Sequence, residues 1–127
     1  GAHSDYGSLT IVQTNTDIGG LEIKNKNNEW EPVPWVKGAF VVNLGDLMAE
    51  WTNDKWVSTM HRVVNPPLEY STIPKTSMTF FHQPNYDAII ECIPTCIKPG
   101  EKPKYEKITS GDHVTMKINK HRTIVDE

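Results

Sequence analysis

The sequence predicts a mainly β fold, a sandwich or barrel of short strands. Five runs are rich in β-branched, aromatic or alternating residues. Turn-forming clusters separate them. No long stretch carries helical periodicity, so short strands with frequent reversals are what must build the core.

Leu9 to Gln13 is the first strand, closed by the Asp17-Ile-Gly-Gly turn, and Leu21 to Lys24 is the second, closed by Asn25-Lys-Asn-Asn. Lys37-Gly38 turns the chain into Phe40 to Leu44. Asp46 to Thr52 reads as a short helical connector, capped by Asp46, with Leu47, Met48 and Trp51 on its apolar side. His61 to Val64 ends at Asn65-Pro-Pro, and Ser77 to Phe81 ends before Pro84-Asn85. From Lys98 the chain turns polar, with seven basic and five acidic residues and a Pro-Gly-Glu-Lys-Pro opening that resists regular structure. A surface loop is expected there, then a tail from about Ser110 to Lys120 that is helical or irregular.

The 127 residues suit one domain, 1–127, around one hydrophobic core. Thirteen Lys plus Arg against sixteen Asp plus Glu give a net charge of −3, with no broad basic field for phosphate backbones, so nucleic acid is not an expected partner. Largely apolar runs such as Ala39 to Leu44 are too short to cross a bilayer, and the start lacks the pattern of a signal peptide. A soluble, cytoplasmic protein without a membrane partner is the expectation. Cys92 and Cys96 have no further ligands at zinc spacing, which leaves a disulfide or reduced thiols. The chain opens on Gly1 and reaches a chemical motif by His3, so it is expected to be an N-terminally truncated part of a longer protein.

His3 and Asp5 are two apart, so on a strand both point to one face, in line with Gly7, Leu9 and Ile11. Two histidines and a carboxylate can hold Fe(II) on one side and leave positions open for oxygen and an organic chelator. His61, in Thr-Met-His-Arg-Val-Val, is the candidate third ligand. On these residues alone the alternative stays open: a His-x-Asp pair at a frayed terminus and a hydrogen-bonded strand histidine.

The surrounding segments bear on that choice. His3-Ser-Asp-Tyr-Gly-Ser-Leu-Thr, Gly19-Gly-Leu-Glu-Ile, Trp30-Glu-Pro-Val-Pro, Gly38-Ala-Phe-Val-Val-Asn-Leu-Gly-Asp, Ser58-Thr-Met-His-Arg-Val-Val-Asn-Pro and Phe80-Phe-His-Gln-Pro-Asn follow in one order. In that order the chain closely resembles the C-terminal catalytic region of the isopenicillin N synthase-like family of 2-oxoglutarate and Fe(II)-dependent dioxygenases. The resemblance runs to about Pro94, with a looser echo at Thr109-Ser-Gly-Asp-His.

It implies a double-stranded β-helix, or jelly roll, with His3, Asp5 and His61 as catalytic iron ligands. It implies that Lys75 and Ser77 stand where the family's Arg-x-Ser pair grips the distal carboxylate of 2-oxoglutarate. Ser77 matches and Lys75 departs, since a lysine offers a point charge in place of a planar fork. The implied reaction couples oxidative decarboxylation of 2-oxoglutarate to succinate, using O2, with hydroxylation or desaturation of a small organic substrate. Because imidazoles ligate only when neutral, metal affinity is expected to fall as pH drops through the histidine range. The rivals are an Fe(II) oxidase of the same fold that does not use 2-oxoglutarate, and a non-catalytic jelly-roll binding module.

Other residues read as structural. Asn43 can reach the cosubstrate pocket or serve as a hydrogen-bonded packing residue. His82, His113 and His121 lack partners at ligand spacing, and Trp30, Trp35, Trp51 and Trp56 are expected in the core. Exposed strand edges are expected to favour a homodimer.

Overall fold

The computed structural model describes residues 1–125, with side chains through residue 120. The elements are β1 (Leu9–Thr14), β2 (Leu21–Lys24), β3 (Trp30–Pro32), β4 (Val41–Leu44), α1 (Asp46–Trp51), β5 (His61–Val63), β6 (Ser77–His82), β7 (Ile89–Ile90), β8 (Ile108–Thr109) and α2 (Ser110–Val125). Five of the strands fall where the sequence places them, within one residue at each end. The others, β3, β7 and β8, are two or three residues long, and the expected tail segment is helical.

Two antiparallel three-stranded sheets form the frame, ordered β4-β1-β6 and β3-β2-β5, with β7-β8 as a separate pair. In the first sheet Thr10 stands between Asn43 and Phe81, and Val12 between Val41 and Thr79. In the second, Leu21 pairs with Val63 and Ile23 with His61. The sheets face each other across a cleft lined by Thr10, Val12, Thr14, Thr79, Phe81 and, opposite, Leu21, His61 and Val63.

This corrects the expected facing of β1. Unbroken alternation from His3 would turn Leu9 and Ile11 inward, but the backbone bends over residues 6–8 and the parity changes. Thr10, Val12 and Thr14 face the cleft instead. Leu9 and Ile11 share the outer face with Val42 and Phe80, which are 56% and 60% exposed.

The bend is held by α1. The amides of Gly45, Asp46 and Leu47 donate to the carbonyls of Ser8, Asp5 and Tyr6 at 3.0, 2.7 and 3.2 Å. The N–H groups that a helix start leaves without intrahelical partners are thus satisfied by the segment that follows the first candidate ligands. Asp46 is therefore not the cap: Gly45 holds that position with no side-chain cap bond. Gly45 is required by proximity, because a Cβ there would meet the Gly7 backbone and lie 2.9 Å from the Asp5 carbonyl oxygen.

Asp46 instead bonds Lys117 of α2 at 3.0 Å, and Lys117 also lies 3.4 Å from Glu50. Glu50 accepts from His113 Nε2 at 3.1 Å. Burial alone would raise the Glu50 carboxyl, but the His113 hydrogen bond and the Lys117 charge hold it below its ordinary value.

The apolar core is smaller than the expected single core. Among the described residues only Leu47, Ile90 and Cys92 are buried apolar side chains, where α1 meets β7. The tryptophans also depart from expectation: Trp56 and Trp35 are exposed, and Trp30 lies under the Arg62 guanidinium at 4.1 Å from the ring centre. Cys92 and Cys96 are free thiols. No helix is long and apolar enough to cross a membrane among the described residues.

Candidate metal centre

His3 and His61 are brought together by backbone pairing. They form an isolated antiparallel bridge, His3 N to His61 O at 3.0 Å and His61 N to His3 O at 2.9 Å. Their rings lie 4.4 Å apart, centre to centre, tilted by 59°. Asp5, two residues on from His3, completes the group, and one ligand atom from each of the three lies within 4.8 Å of the others.

The ring orientations follow from second hydrogen bonds. His3 Nδ1 is 2.9 Å from the Gly1 carbonyl and His61 Nδ1 is 3.0 Å from the Thr59 carbonyl. A carbonyl only accepts, so Nδ1 carries a proton in each ring, and in the neutral imidazole the Nε2 lone pair then faces inward. Both Nε2 atoms point at Asp5 Oδ1, each 3.6 Å away, too far for a hydrogen bond. With both rings neutral, two lone pairs and a carboxylate oxygen converge on one point, an arrangement that suits a cation. For bonds of about 2.1 Å, octahedral neighbours sit about 3 Å apart, so a modest contraction closes the group around an ion. The donor set fits Fe(II): two imidazoles and one carboxylate on one side, the opposite side open to the cleft.

Burial is graded across the group. The Asp5 side chain is 4% exposed, that of His61 13% and that of His3 51%. Asp5 Oδ2 accepts from Thr10 Oγ1 at 2.5 Å and from Asn43 Nδ2 at 2.8 Å. Asn43 is thus a hydrogen-bonded packing residue whose partner is a candidate ligand. Nothing in the sequence marks Thr10, because a threonine in an alternating strand looks like a β-former and nothing more.

The cleft has a volume of about 410 Å³, and Lys75 and Ser77 line it together with the three candidate ligands. Lys75 Nζ donates to the Gly19 carbonyl, which stations the ammonium across from β6 at the end of the first sheet. Gly19 and Gly20 take positive φ of 79° and 100°, and the turn they form brings that carbonyl into reach.

Other singled-out histidines stand apart from this group: His82 Nδ1 is bonded by Ser8 Oγ at 2.7 Å, and His113 pairs with Glu50. His121 lies outside the residues whose side chains are described.

Comparison with known proteins gives the family. Residues 1–84 match the family model of the 2OG-Fe(II) oxygenase superfamily. A homoarginine-6-hydroxylase of Oryza sativa subsp. japonica, 2-ODD-233, is 40% identical over 119 residues, 93% of this chain and 35% of that protein. The 2-oxoglutarate-Fe(II) type oxidoreductase hxnY of Emericella nidulans is 41% identical over 115 residues, 90% of this chain and 32% of its own length. Among solved structures, a full-length Neurospora crassa protein in complex with alpha-KG superposes with a TM-score of 0.86 at 38% identity, covering 94% of this chain and 37% of that one. The chain spans about a third of the length of the relatives it matches. The superposition bears out the double-stranded β-helix expected from the sequence. With its matched residues covering both histidines and Asp5, the chain belongs to the 2OG-Fe(II) oxygenase superfamily.

Proposed function

We propose that residues 1–127 are the iron-binding catalytic part of an oxygenase domain that oxidises a small organic molecule, with 2-oxoglutarate as cosubstrate. The observation that carries this reading is the convergence of two Nε2 lone pairs and one carboxylate oxygen on a point that opens into a cleft. When bound, Fe(II) with 2-oxoglutarate and O2 supplies oxidative decarboxylation to succinate coupled to hydroxylation or desaturation of the substrate.

The chain's own residues supply position and charge. His3, Asp5 and His61 hold the metal from one side. Gly1 and Thr59 carbonyls accept from Nδ1, which directs Nε2 of each neutral ring toward the metal position. Lys75 and Ser77 offer a cation and a hydroxyl on the cleft wall, suited to a carboxylate. Val12, Leu21, Val63 and Phe81 line the cleft with apolar surface.

A second reading keeps the iron and omits 2-oxoglutarate. It is favoured by Lys75, whose ammonium is already engaged by the Gly19 carbonyl. Succinate released in a one-to-one ratio with oxidised substrate supports the first reading, and substrate oxidation without succinate supports the second.

The relatives' names point to small-molecule substrates: homoarginine for the rice protein, and JA or thymine as bound molecules in solved neighbours. A small organic substrate is accordingly proposed here. Self-association as a homodimer is supported by the apolar outer face of Val42, Met78 and Phe80, and a monomeric mass by light scattering overturns it.

A further inference from the structure

We propose that Thr10 and Asn43 are positioning residues that restrict Asp5 to one-point coordination and so keep a metal position open. The inference rests on the three-ligand reading above and adds a role for two residues outside it.

The two oxygens of Asp5 have unlike surroundings. Oδ1 faces the inner nitrogens of His3 and His61 at 3.6 Å each. Oδ2 accepts from Thr10 Oγ1 at 2.5 Å and from Asn43 Nδ2 at 2.8 Å. A carboxylate oxygen offers about two lone-pair sites, so protein donors fill Oδ2. The Thr10 bond has the short length of a hydroxyl on an ionised carboxylate, the stronger kind of hydrogen bond.

The two donors reach the same oxygen by register. Thr10 of β1 and Asn43 of β4 are directly paired across the sheet, and both side chains project toward Asp5. Thr10 is 2% exposed, so no solvent stands ready to replace Asp5 as the acceptor of its proton. Asn43 is not among the residues that line the cleft, which leaves it a role through Asp5 and not through a bound molecule.

Free carboxylates bind metals through one oxygen or through both. Two-point binding by Asp5 would occupy a fourth position of the metal with a protein atom, one of those that oxygen and an organic chelator need. To bind that way Asp5 must give up at least one of the two donors, the buried Thr10 hydroxyl or the half-buried Asn43 amide. Thr10 and Asn43 therefore set the number of open positions, while Asp5 itself sets affinity.

The test uses the purified chain loaded with Co(II), an oxygen-stable probe, and isotope-edited infrared spectra of aspartate labelled in its carboxyl carbon. The separation between the two carboxylate stretches is wide for one-point binding and narrow for two-point binding. A wide separation is expected in the unchanged chain and in Thr10→Ser, which keeps the hydroxyl, and a narrow one in the Thr10→Val, Asn43→Ala double variant. A narrow separation in the unchanged chain, or a wide one in the double variant, overturns the proposal. If the double variant loses its circular dichroism signature, Asn43→Ala alone decides: narrowing supports the proposal and an unchanged separation overturns it. Asp5→Ala separates the two levels of the argument. Unchanged Co(II) affinity in Asp5→Ala ends the three-ligand reading and this inference with it, whereas lost affinity beside an unmoved separation ends this inference alone.

Discussion

His3 and His61 donate and accept one backbone hydrogen bond each, at 3.0 and 2.9 Å, so the two candidate ligands contributed by distant segments are joined by main chain and not by their rings. The pairing leaves the Nε2 atoms of both rings available to a metal.

It follows that ligand and scaffold roles separate at this pair. His61→Ala should leave both backbone bonds in place and lower stability by about 1 kcal/mol, since its truncation removes a part-exposed ring at the cleft wall. Metal affinity should fall at least about 100-fold, because a first ligand is lost where even outer partners matter about 10- to 100-fold. Thermal melting and Co(II) competition titration measure the two effects. A variant that melts far below the parent would show that the ring, and not the bridge, holds the segments together.

Lys75 should act on the cosubstrate and not on the metal. Lys75→Met removes the one lysine or arginine among the described residues lining the cleft, and is expected to weaken 2-oxoglutarate binding by about 10- to 100-fold, the range for a lost hydrogen bond to a charged group. Co(II) affinity should hold. Lys75→Arg should retain or tighten binding, since a planar fork suits a carboxylate. Calorimetric titration with 2-oxoglutarate on the Co(II)-loaded chain checks both, and equal affinity in Lys75→Met would favour the oxidase that does without 2-oxoglutarate.

Gly45 couples packing to the site. An added methyl there would press on the Gly7 backbone and lie 2.9 Å from the Asp5 carbonyl oxygen, and the atoms it meets are main chain. Gly45→Ala should therefore cost about 1–3 kcal/mol, as overpacking does. Because α1 and the 5–8 segment must part to accept the methyl, metal affinity should fall with stability. A melting curve unchanged from the parent would contradict the close approach.

The network between the two helices predicts a stability profile with two limbs. Burial opposes ionisation of Glu50 and of Asp46, yet their hydrogen bonds and the Lys117 charge leave both carboxyls below their ordinary values. A carboxyl lowered on folding contributes stability that is present above its unfolded value of about 4 and lost as pH falls through the folded one. Lys117 is displaced the other way: burial would lower it, but Asp46 and Glu50 raise it. Its contribution is present below about pH 10.4 and lost as pH rises through the folded value. Urea unfolding should thus show a plateau from about pH 5 to about pH 10 with a fall on each side. Lys117→Met should flatten both limbs, and an unchanged acid limb in that variant would place the acid sensitivity elsewhere.

Much of this was legible in the sequence, for physical reasons that particular residues make plain. Leu9 to Gln13 and Ser77 to Phe81 are recognisable because six-residue strands carry enough β-formers to stand out. Trp30–Pro32 is hidden because it is short and ends in proline, and Ile89–Ile90 and Ile108–Thr109 are too brief to show alternation. The three candidate ligands come together as expected, but the inner face of β1 does not, because a bend at residues 6–8 changes the parity and local spacing cannot announce it. Asp46 looks like a helix cap because aspartate favours that role, whereas the structure meets the same need with carbonyls from Asp5, Tyr6 and Ser8. Thr10 escapes notice for the related reason that its partner is five residues back around that bend.

The central claim is that His3, Asp5 and His61 hold Fe(II) with room for 2-oxoglutarate, and one anaerobic titration addresses it most directly. Fe(II) and then 2-oxoglutarate are added to the purified chain while the visible spectrum is followed for the weak metal-to-ligand band of a chelated keto acid. The account predicts that the band grows to one equivalent and is absent in His61→Ala. A band that persists in His61→Ala, or none in the unchanged chain at saturating Fe(II) and 2-oxoglutarate, would contradict it.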